Sequence, residues 1–84
     1  MNKSDTKLVP FKELELIELY QILRLRSEIF VVEQNCVFLD MDNKDQDSWH
    51  LMMTEEGKLA AYTRLVPPGL SYPEMSIGRV VTAP

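Results

Sequence analysis

The stretch WHLMMTEEGKLAAYTRLV, from Trp49 to Val66, contains two runs of strand-forming residues that flank a short polar turn. The turn, Glu55-Glu56-Gly57, is typical of a β-hairpin, so we expect two antiparallel strands, Trp49–Thr54 and Lys58–Val66. Alternation along each strand places one set of side chains on a common face: Trp49, Leu51 and Met53 in the first strand, and Leu59, Ala61, Thr63 and Leu65 in the second.

Two further strands are predicted on either side of this hairpin. After the turn Pro67-Pro68-Gly69, a strand runs from Glu74 to about Thr82, and Gly78 within it indicates a bulge or a close backbone approach. Near the amino terminus, Lys7–Phe11 is compatible with a short edge strand, although the proline within it weakens that prediction.

One helix is predicted between these strands, from Glu15 to about Phe30. At the helical period one face carries a mainly apolar set: Leu16, Leu19, Tyr20, Leu23, Ser27 and Phe30. A second set widens the apolar surface beyond a single stripe: Ile17, Ile22, Leu25 and Ile29. We therefore expect the helix to be covered on more than one side. No Ser, Thr, Asp or Asn stands at the expected amino-terminal cap.

The predicted fold class is α/β in the α+β sense, with one main helix packed on a mostly antiparallel sheet of three to four strands. The 84 residues suffice for at most one domain. A formal net charge of −4 argues against nucleic acid as the main partner, because phosphate contacts need a basic surface. No apolar run approaches the length that a membrane span requires, and no signal sequence is recognisable, so we expect no membrane partner and a cytoplasmic location.

Two residues are candidates for nucleophilic or acid–base chemistry. Cys36 is the single cysteine and His50 the single histidine, and together they would suit a nucleophile and its base. Nothing in the sequence brings them together, and a lone cysteine is more often an inert buried residue. His50 alone suits a general base by its ordinary pKa, and equally suits a hydrogen-bonded residue at a strand end.

The loop from Asp40 to Ser48 is rich in acids but does not fit a calcium site. A calcium-binding loop that began at Asp40 would place Lys44 and Leu51 at positions that need oxygen ligands, so we predict no metal. A solvated acidic loop is the simpler interpretation, and a negative field that attracts an amine is the alternative.

Glu33 and three arginines are the remaining charged candidates. Glu33 follows the apolar run Ile29–Val32, where a desolvated carboxylate would gain a raised pKa and serve as a base, or would simply lie at the surface. The arginines on the predicted helix and strands are expected to pair with carboxylates: Arg26, Arg64 and Arg79.

Three stretches together resemble the ElaA-like branch of the GNAT N-acetyltransferases. They are FKELELIELYQILRLRSEIFVVEQNC (Phe11 to Cys36), WHLMMTEEGKLAAYTRLVPPG (Trp49 to Gly69) and SYPEMSIGRVVTAP (Ser71 to Pro84). They follow one another in the order and at the spacing of that family. The resemblance covers nearly the whole chain.

The resemblance implies transfer of an acetyl group from acetyl-CoA to a primary amine of a small molecule or a protein. In this family the backbone of the fourth strand binds the pantetheine arm and the acetyl carbonyl. In this chain those contacts correspond to Val80, Val81 and Thr82. Glu33 and His50 are then the candidates for the acceptor side of the cleft.

The family motif that cradles the CoA pyrophosphate, Arg/Gln-x-x-Gly-x-Gly/Ala, does not occur in these 84 residues. The resemblance therefore implies that residues 1–84 form the amino-terminal half of the domain, up to its fourth strand. We expect this half alone to be inactive. The alternative is a short, non-catalytic interaction module that self-associates through the exposed edge of its last strand.

Overall fold

A computed structural model describes residues 4–35 and 38–84 of the chain. Within these residues, four strands and one α-helix form two layers: β1 (Ser4–Pro10), α1 (Leu16–Ser27), β2 (Trp49–Glu55), β3 (Lys58–Val66) and β4 (Ser76–Thr82). The strands are antiparallel and lie in the order β1-β2-β3-β4, with α1 on one face of the sheet. The predicted fold class, a helix on an antiparallel sheet, is confirmed.

The hairpin between β2 and β3 forms where the sequence predicts it. Glu56 and Gly57 both have positive φ, 51° and 81°, which is the backbone of a type I′ turn. Such a turn matches the right-handed twist of the strands that it joins, and it places Glu55 opposite Lys58. An irregularity between Met53 and Thr54 then shifts the register by one residue, so that Trp49 lies opposite Leu65.

The helix is shorter than predicted as an α-helix and continues in a different form. After Ser27 the chain makes a π-helical turn over Glu28–Glu33, in which the N–H of Gln34 donates to the carbonyl of Ile29 over 2.9 Å. The apolar periodicity at 100° per residue cannot show this widening of the helix. At the other end, the Glu18 carboxylate accepts from the N–H of Glu15 over 2.9 Å, which compensates for the missing small polar cap.

The sheet covers the second apolar stripe of α1 rather than the first. Ile22 and Leu25 pack in the core with Met52, Tyr62 and Val81. Leu16 and Tyr20, on the stripe that the sequence makes most prominent, are exposed. A wide apolar surface on a helix therefore does not say which part meets the sheet.

In β2 and β3 the buried face is the opposite of the one that the apolar alternation of the sequence indicates. His50 and Met52 of β2 point toward the helix, whereas Trp49 and Met53 are largely exposed. The inward positions of β3 carry Tyr62 and Arg64. The layer between helix and sheet is therefore partly polar, and the amphipathic pattern of the strands misrepresents it.

β4 contains the irregularity that Gly78 predicts, one residue further along. Gly78 lies opposite Arg64 and Val81 opposite Tyr62, so that Arg79 and Val80 together face Thr63. Two residues opposite one is a β-bulge. Arg79 has a φ of 53°, in the left-handed region, and the Thr63 hydroxyl donates to the carbonyl of Gly78 over 2.9 Å.

Two isoleucines of the same helix provide a direct test of where the core lies. Ile22 is fully buried, whereas the side chain of Ile17 is 59% exposed. We expect Ile22→Ala to lower the free energy of unfolding by about 2–5 kcal/mol, since it removes core contacts and leaves a cavity. Ile17→Ala should change it by about 0.5 kcal/mol or less. Urea denaturation followed by circular dichroism measures both, and equal losses would contradict a core that contains Ile22 and leaves Ile17 exposed.

Candidate functional site

Three arginines from three different elements converge on one acidic loop. Arg26 comes from α1, Arg64 from β3 and Arg79 from the bulge of β4. Their partners are the carboxylates of three aspartates in the loop that precedes β2: Asp40, Asp42 and Asp45. We call these six residues the Arg–Asp cluster.

Arg26 is fully buried and is held by two aspartates. Its Nε donates to Asp40 Oδ2 over 3.1 Å, its Nη1 to Asp45 Oδ1 over 2.9 Å and its Nη2 to the Asp40 carbonyl over 2.8 Å. The guanidinium also lies 6.0 Å from the ring centroid of Tyr62. All three nitrogens therefore have acceptors, which a buried arginine requires.

Arg64 makes a forked pair with Asp42. Its Nη1 and Nη2 donate to the two carboxylate oxygens of Asp42 over 2.8 and 3.0 Å, and Nη1 also donates to Asp45 Oδ1 over 3.0 Å. Two parallel bonds of this kind fix orientation as well as distance. The Nε of Arg64 has no hydrogen-bond partner among the described residues.

Arg79 ties the bulge of β4 to the same loop. Its Nε donates to Asp40 Oδ1 over 2.8 Å, and its Nη2 donates to the Asp40 carbonyl over 2.9 Å and to Asp42 Oδ2 over 3.2 Å. The guanidinium stands 5.1 Å from the ring centroid of Phe38, which packs edge-on against Phe30. Asp40 thus accepts from both Arg26 and Arg79.

The sequence of the loop explains its shape. The Asp42 carboxylate accepts from the N–H of Lys44 over 3.1 Å, and Asn43 between them has a φ of 65°, a conformation that Asn tolerates well. The Ser48 hydroxyl donates to the Lys44 carbonyl over 2.6 Å, around a short 3-10 turn at Asp45–Asp47. These local bonds turn the acids inward toward the arginines.

The cluster is electrically balanced, since three carboxylates face three guanidinium groups. Partial burial would raise the pKa of Asp42, but the hydrogen bonds from Arg64 and Lys44 and the nearby charges of Arg64 and Arg79 lower it to about 2. The interpretation of this loop as merely solvated is therefore wrong, and the predicted pairing of all three arginines with carboxylates is confirmed.

His50 lies beneath the cluster, buried between Tyr62 and the loop. Its Nε2 is 2.9 Å from the carbonyl of Asp45, which can only accept, so Nε2 carries the proton. Its Nδ1, 2.7 Å from the Tyr62 hydroxyl, then accepts from that hydroxyl. Burial lowers the pKa of His50 and raises that of Tyr62, so both side chains are neutral.

A groove runs along the outer side of α1, next to the cluster. It has a cavity volume of about 730 Å³, and its walls are mainly apolar: Tyr20, Leu23, Val31, Phe38, Leu39 and Met41. Asp40 also lines it, so one residue borders both the groove and the Arg–Asp cluster.

The residues singled out in the sequence fall into separate places. Glu33 is exposed at the end of the π-helical turn, whereas His50 is 1% exposed and both of its ring nitrogens are engaged. On β4, Val80 and Thr82 are exposed and Val81 is buried. Cys36 lies outside the described residues.

Sequence reasoning missed Asp40, Asp42 and Asp45 as partners of particular arginines. The sequence did contain a signal: the acidic loop lies between elements that each carry an arginine at or near an apolar face, so the charges of loop and arginines balance.

Within residues 4–35 and 38–84 there is no group of three or more His, Cys, Asp or Glu side chains arranged to hold a metal ion. Among the same residues, no helix has the length and apolar character to cross a membrane.

The chain is similar in sequence to several curated proteins. It is 46% identical over 74 residues to a UPF0039 protein from Synechocystis sp., an alignment that covers 87% of this chain and 48% of that protein. It is 37% identical over 73 residues to the protein ElaA from Escherichia coli, covering 84% of this chain and 48% of ElaA. The chain spans about half the length of these relatives and matches their amino-terminal part. No protein-family model matches it.

Two solved structures share the fold. One is an acyl-CoA N-acyltransferase from Pseudomonas aeruginosa, with a TM-score of 0.89 and 41% identity over 96% of this chain and 57% of the other. The other is Escherichia coli ElaA, with a TM-score of 0.88 and 32% identity over 96% of this chain and 56% of ElaA.

The cluster predicts unequal effects for two aspartates of the same 3-10 turn. Asp45 is buried and accepts from Arg26 and Arg64, whereas Asp47 is exposed. We expect Asp45→Asn to lower the free energy of unfolding by about 3–5 kcal/mol, because it leaves buried guanidinium charge without its partner. Asp47→Asn should change it by about 0.5 kcal/mol or less. Urea denaturation measures the free energy of unfolding of both variants. A small loss in Asp45→Asn would contradict the claim that the cluster stabilises the fold.

The single histidine predicts a pH dependence. Burial lowers the pKa of His50 from its usual 6.5, so below that pH the unfolded chain binds a proton that the folded chain does not. The free energy of unfolding should therefore fall as the pH drops from about 7.5 to 5.5. His50→Gln should show a shallower fall over the same range. Equal slopes for both proteins, or an NMR titration of the His50 ring at its ordinary pKa, would contradict the buried neutral state.

Proposed function

We propose that this chain, a homologue of the amino-terminal part of the UPF0039/ElaA proteins with the corresponding half of a GNAT acyltransferase fold, supplies the acyl-donor strand of an acyl-CoA N-acyltransferase. The donor is acetyl-CoA and the acceptor a primary amine of a small molecule or a protein. The likeness to an acyl-CoA N-acyltransferase supports the donor class.

The observation that carries this proposal is the open edge of β4 beyond its bulge. β4 is the last strand in the sheet order, so one side of its backbone faces no other strand of the described chain. The N–H of Ala83 donates to the carbonyl of Ala60 over 2.8 Å, toward β3. Because amides alternate in direction along a strand, the N–H of Thr82 points to the open edge. An extended pantetheine arm with its amides would pair with such an edge.

The reaction follows from the chemistry of a thioester and an amine. A neutral amine attacks the acetyl carbonyl, the new C–N bond forms, the C–S bond breaks, and the CoA thiolate leaves and takes up a proton. The amine must lose a proton on the way, so a base or an ordered water is needed. Val80 to Thr82 would hold the thioester by their backbone, while the side chains of Val80 and Thr82 remain exposed.

Glu33 and His50 differ in their suitability as that base. Glu33 is exposed and directly follows Val31 and Val32, which line the groove, so its carboxylate is open to solvent beside the groove. His50 would have to give up its bond to Tyr62 in order to accept a proton at Nδ1. We therefore assign the acceptor side to Glu33, and we assign His50 to holding the turn at Asp45.

The donor pyrophosphate needs a further part of the domain. The glycine-rich motif that cradles it does not occur in residues 1–84, which correspond to about half of the relatives. We propose that residues 1–84 form the amino-terminal half of the acyltransferase domain, that the complementary half holds the phosphates, and that the 84 residues alone are inactive. The proposed location is the cytoplasm.

A second function is favoured by the same edge. Ile77 and Val80 on β4 are each 66% exposed, and an apolar strand at the edge of a sheet is prone to pair with another chain. On this alternative the chain is a non-catalytic module that joins a second copy or another half-domain through β4. Such pairing would occupy the edge that the donor needs.

A chimera tests the donor strand. The 84 residues would replace the aligned part of the Pseudomonas aeruginosa acyltransferase, and calorimetry would measure its dissociation constant for acetyl-CoA. Thr82→Pro removes the outward N–H at an edge position that tolerates proline, whereas Thr82→Val retains the N–H and the shape. We expect acetyl-CoA binding by the chimera, a loss of roughly tenfold in Thr82→Pro and about twofold or less in Thr82→Val.

Three outcomes would count against the proposal. If the chimera folds cooperatively but does not bind acetyl-CoA, the donor role is wrong and the interaction module is favoured. If Thr82→Pro binds as well as Thr82→Val, the outward N–H does not contact the donor. If the 84 residues alone bind acetyl-CoA as tightly as the chimera, the division of work between two halves is wrong. Release of the CoA thiol with a panel of primary amines then identifies the acceptor class.

A further inference from the structure

The bulge of β4 places an arginine where glycine is usual. In bulges whose first residue is left-handed, that residue is typically glycine, because a Cβ crowds the backbone at positive φ. Here Arg79 has a φ of 53°, while Gly78 immediately before it lies outside the left-handed region. If the bulge lay one residue earlier, Gly78 would adopt the left-handed conformation, which costs glycine less than it costs arginine. Backbone freedom therefore does not explain the register of this bulge.

The side chain of Arg79 supplies the missing explanation. It makes three hydrogen bonds to the acidic loop, to both the carboxylate and the carbonyl of Asp40 and to the carboxylate of Asp42, at 2.8 to 3.2 Å. Its guanidinium also packs on the face of Phe38. These contacts join a strand at the edge of the sheet to a loop 37 to 39 residues earlier in the chain.

We propose that Arg79 is a positioning residue whose bonds to Asp40 and Asp42 hold the β4 bulge in its left-handed form. Arg79 is the first residue of the bulge and immediately precedes Val80 to Thr82, so its conformation sets the direction in which their N–H and carbonyl groups point. This role in positioning the acyl donor rests on the proposed function, whereas the link between the loop and the bulge does not.

The same link connects the donor strand to the groove beside α1. Asp40 lines the groove and also accepts from Arg26 and Arg79. Phe38, which stacks on Arg79, lines it as well. A ligand that displaces this part of the loop would therefore loosen the bulge, and acceptor and donor positions would be coupled through Arg79.

NMR of the full 84-residue chain tests the link without any acyl donor. A left-handed residue gives a strong intraresidue contact between its amide and α protons, so residue 79 reports its own conformation. In Asp40→Asn combined with Asp42→Asn, Arg79 is still present but loses its charged partners. We expect this variant to lose the left-handed signal at residue 79 while β2 and β3 keep their pairing. Lys7→Ala, which removes the separate ion pair with Glu18, should leave residue 79 unchanged.

Further variants keep the test decisive if the doubly substituted loop does not fold. Arg79→Gly removes the side chain but tolerates positive φ, whereas Arg79→Lys keeps one charged donor. We expect amide exchange of residues 79–82 to become at least tenfold faster in Arg79→Gly, with β2 unchanged, and to be partly restored in Arg79→Lys.

The proposal would be overturned by an Arg79 that stays left-handed without Asp40 and Asp42 as charged partners, or by unchanged exchange in Arg79→Gly. A uniform increase in exchange over all strands would also overturn it, because the arginine would then contribute only general stability. Failure of acetyl-CoA binding in the chimera bears on the proposed function alone, since none of these measurements uses the donor.

Discussion

Two buried guanidinium groups between a helix and a sheet are the constraint on which this structure depends. Arg26 and Arg64 both occupy the layer where aliphatic side chains would be expected. Transferring such charges from water costs several kcal/mol each unless carboxylates and carbonyls meet them. The loop from Asp40 to Asp45 meets that need, so its conformation is dictated by the arginines as much as by its own turns.

This constraint links parts of the chain that are far apart in sequence. Asp45 bridges Arg26 of α1 and Arg64 of β3, and Asp40 bridges Arg26 and Arg79 of β4. Together with the apolar core around Ile22 and Leu25, the cluster thus fixes the helix, the sheet and its bulged edge relative to one another. Among the described residues, the outer helix face and the β4 edge are not covered by another element, so each can meet a ligand or another polypeptide.

The helix and the strands could be predicted because local sequence patterns determine them. The site was harder to predict because its contacts join residues that are distant in sequence. Glu56-Gly57 forms the predicted hairpin turn, and α1 begins where its apolar periodicity predicts, although it ends at Ser27, earlier than expected. The buried polar layer was not predictable, because apolar alternation in β2 points to Trp49 and Met53 rather than to His50. The left-handed conformation of Arg79 depends on contacts with a loop that is distant in sequence. In the sequence, only Gly78 indicated an irregularity in this part of β4.

A double-mutant cycle on Arg26 and Arg79 tests the central claim most directly, because both donate to Asp40 from different elements. The free energy of unfolding would be measured for the wild type, Arg26→Met, Arg79→Met and the double variant. A shared carboxylate predicts a coupling energy of about 0.5–3 kcal/mol between the two substitutions. Additive effects, within about 0.3 kcal/mol, would contradict a loop that joins helix and strand through one cluster.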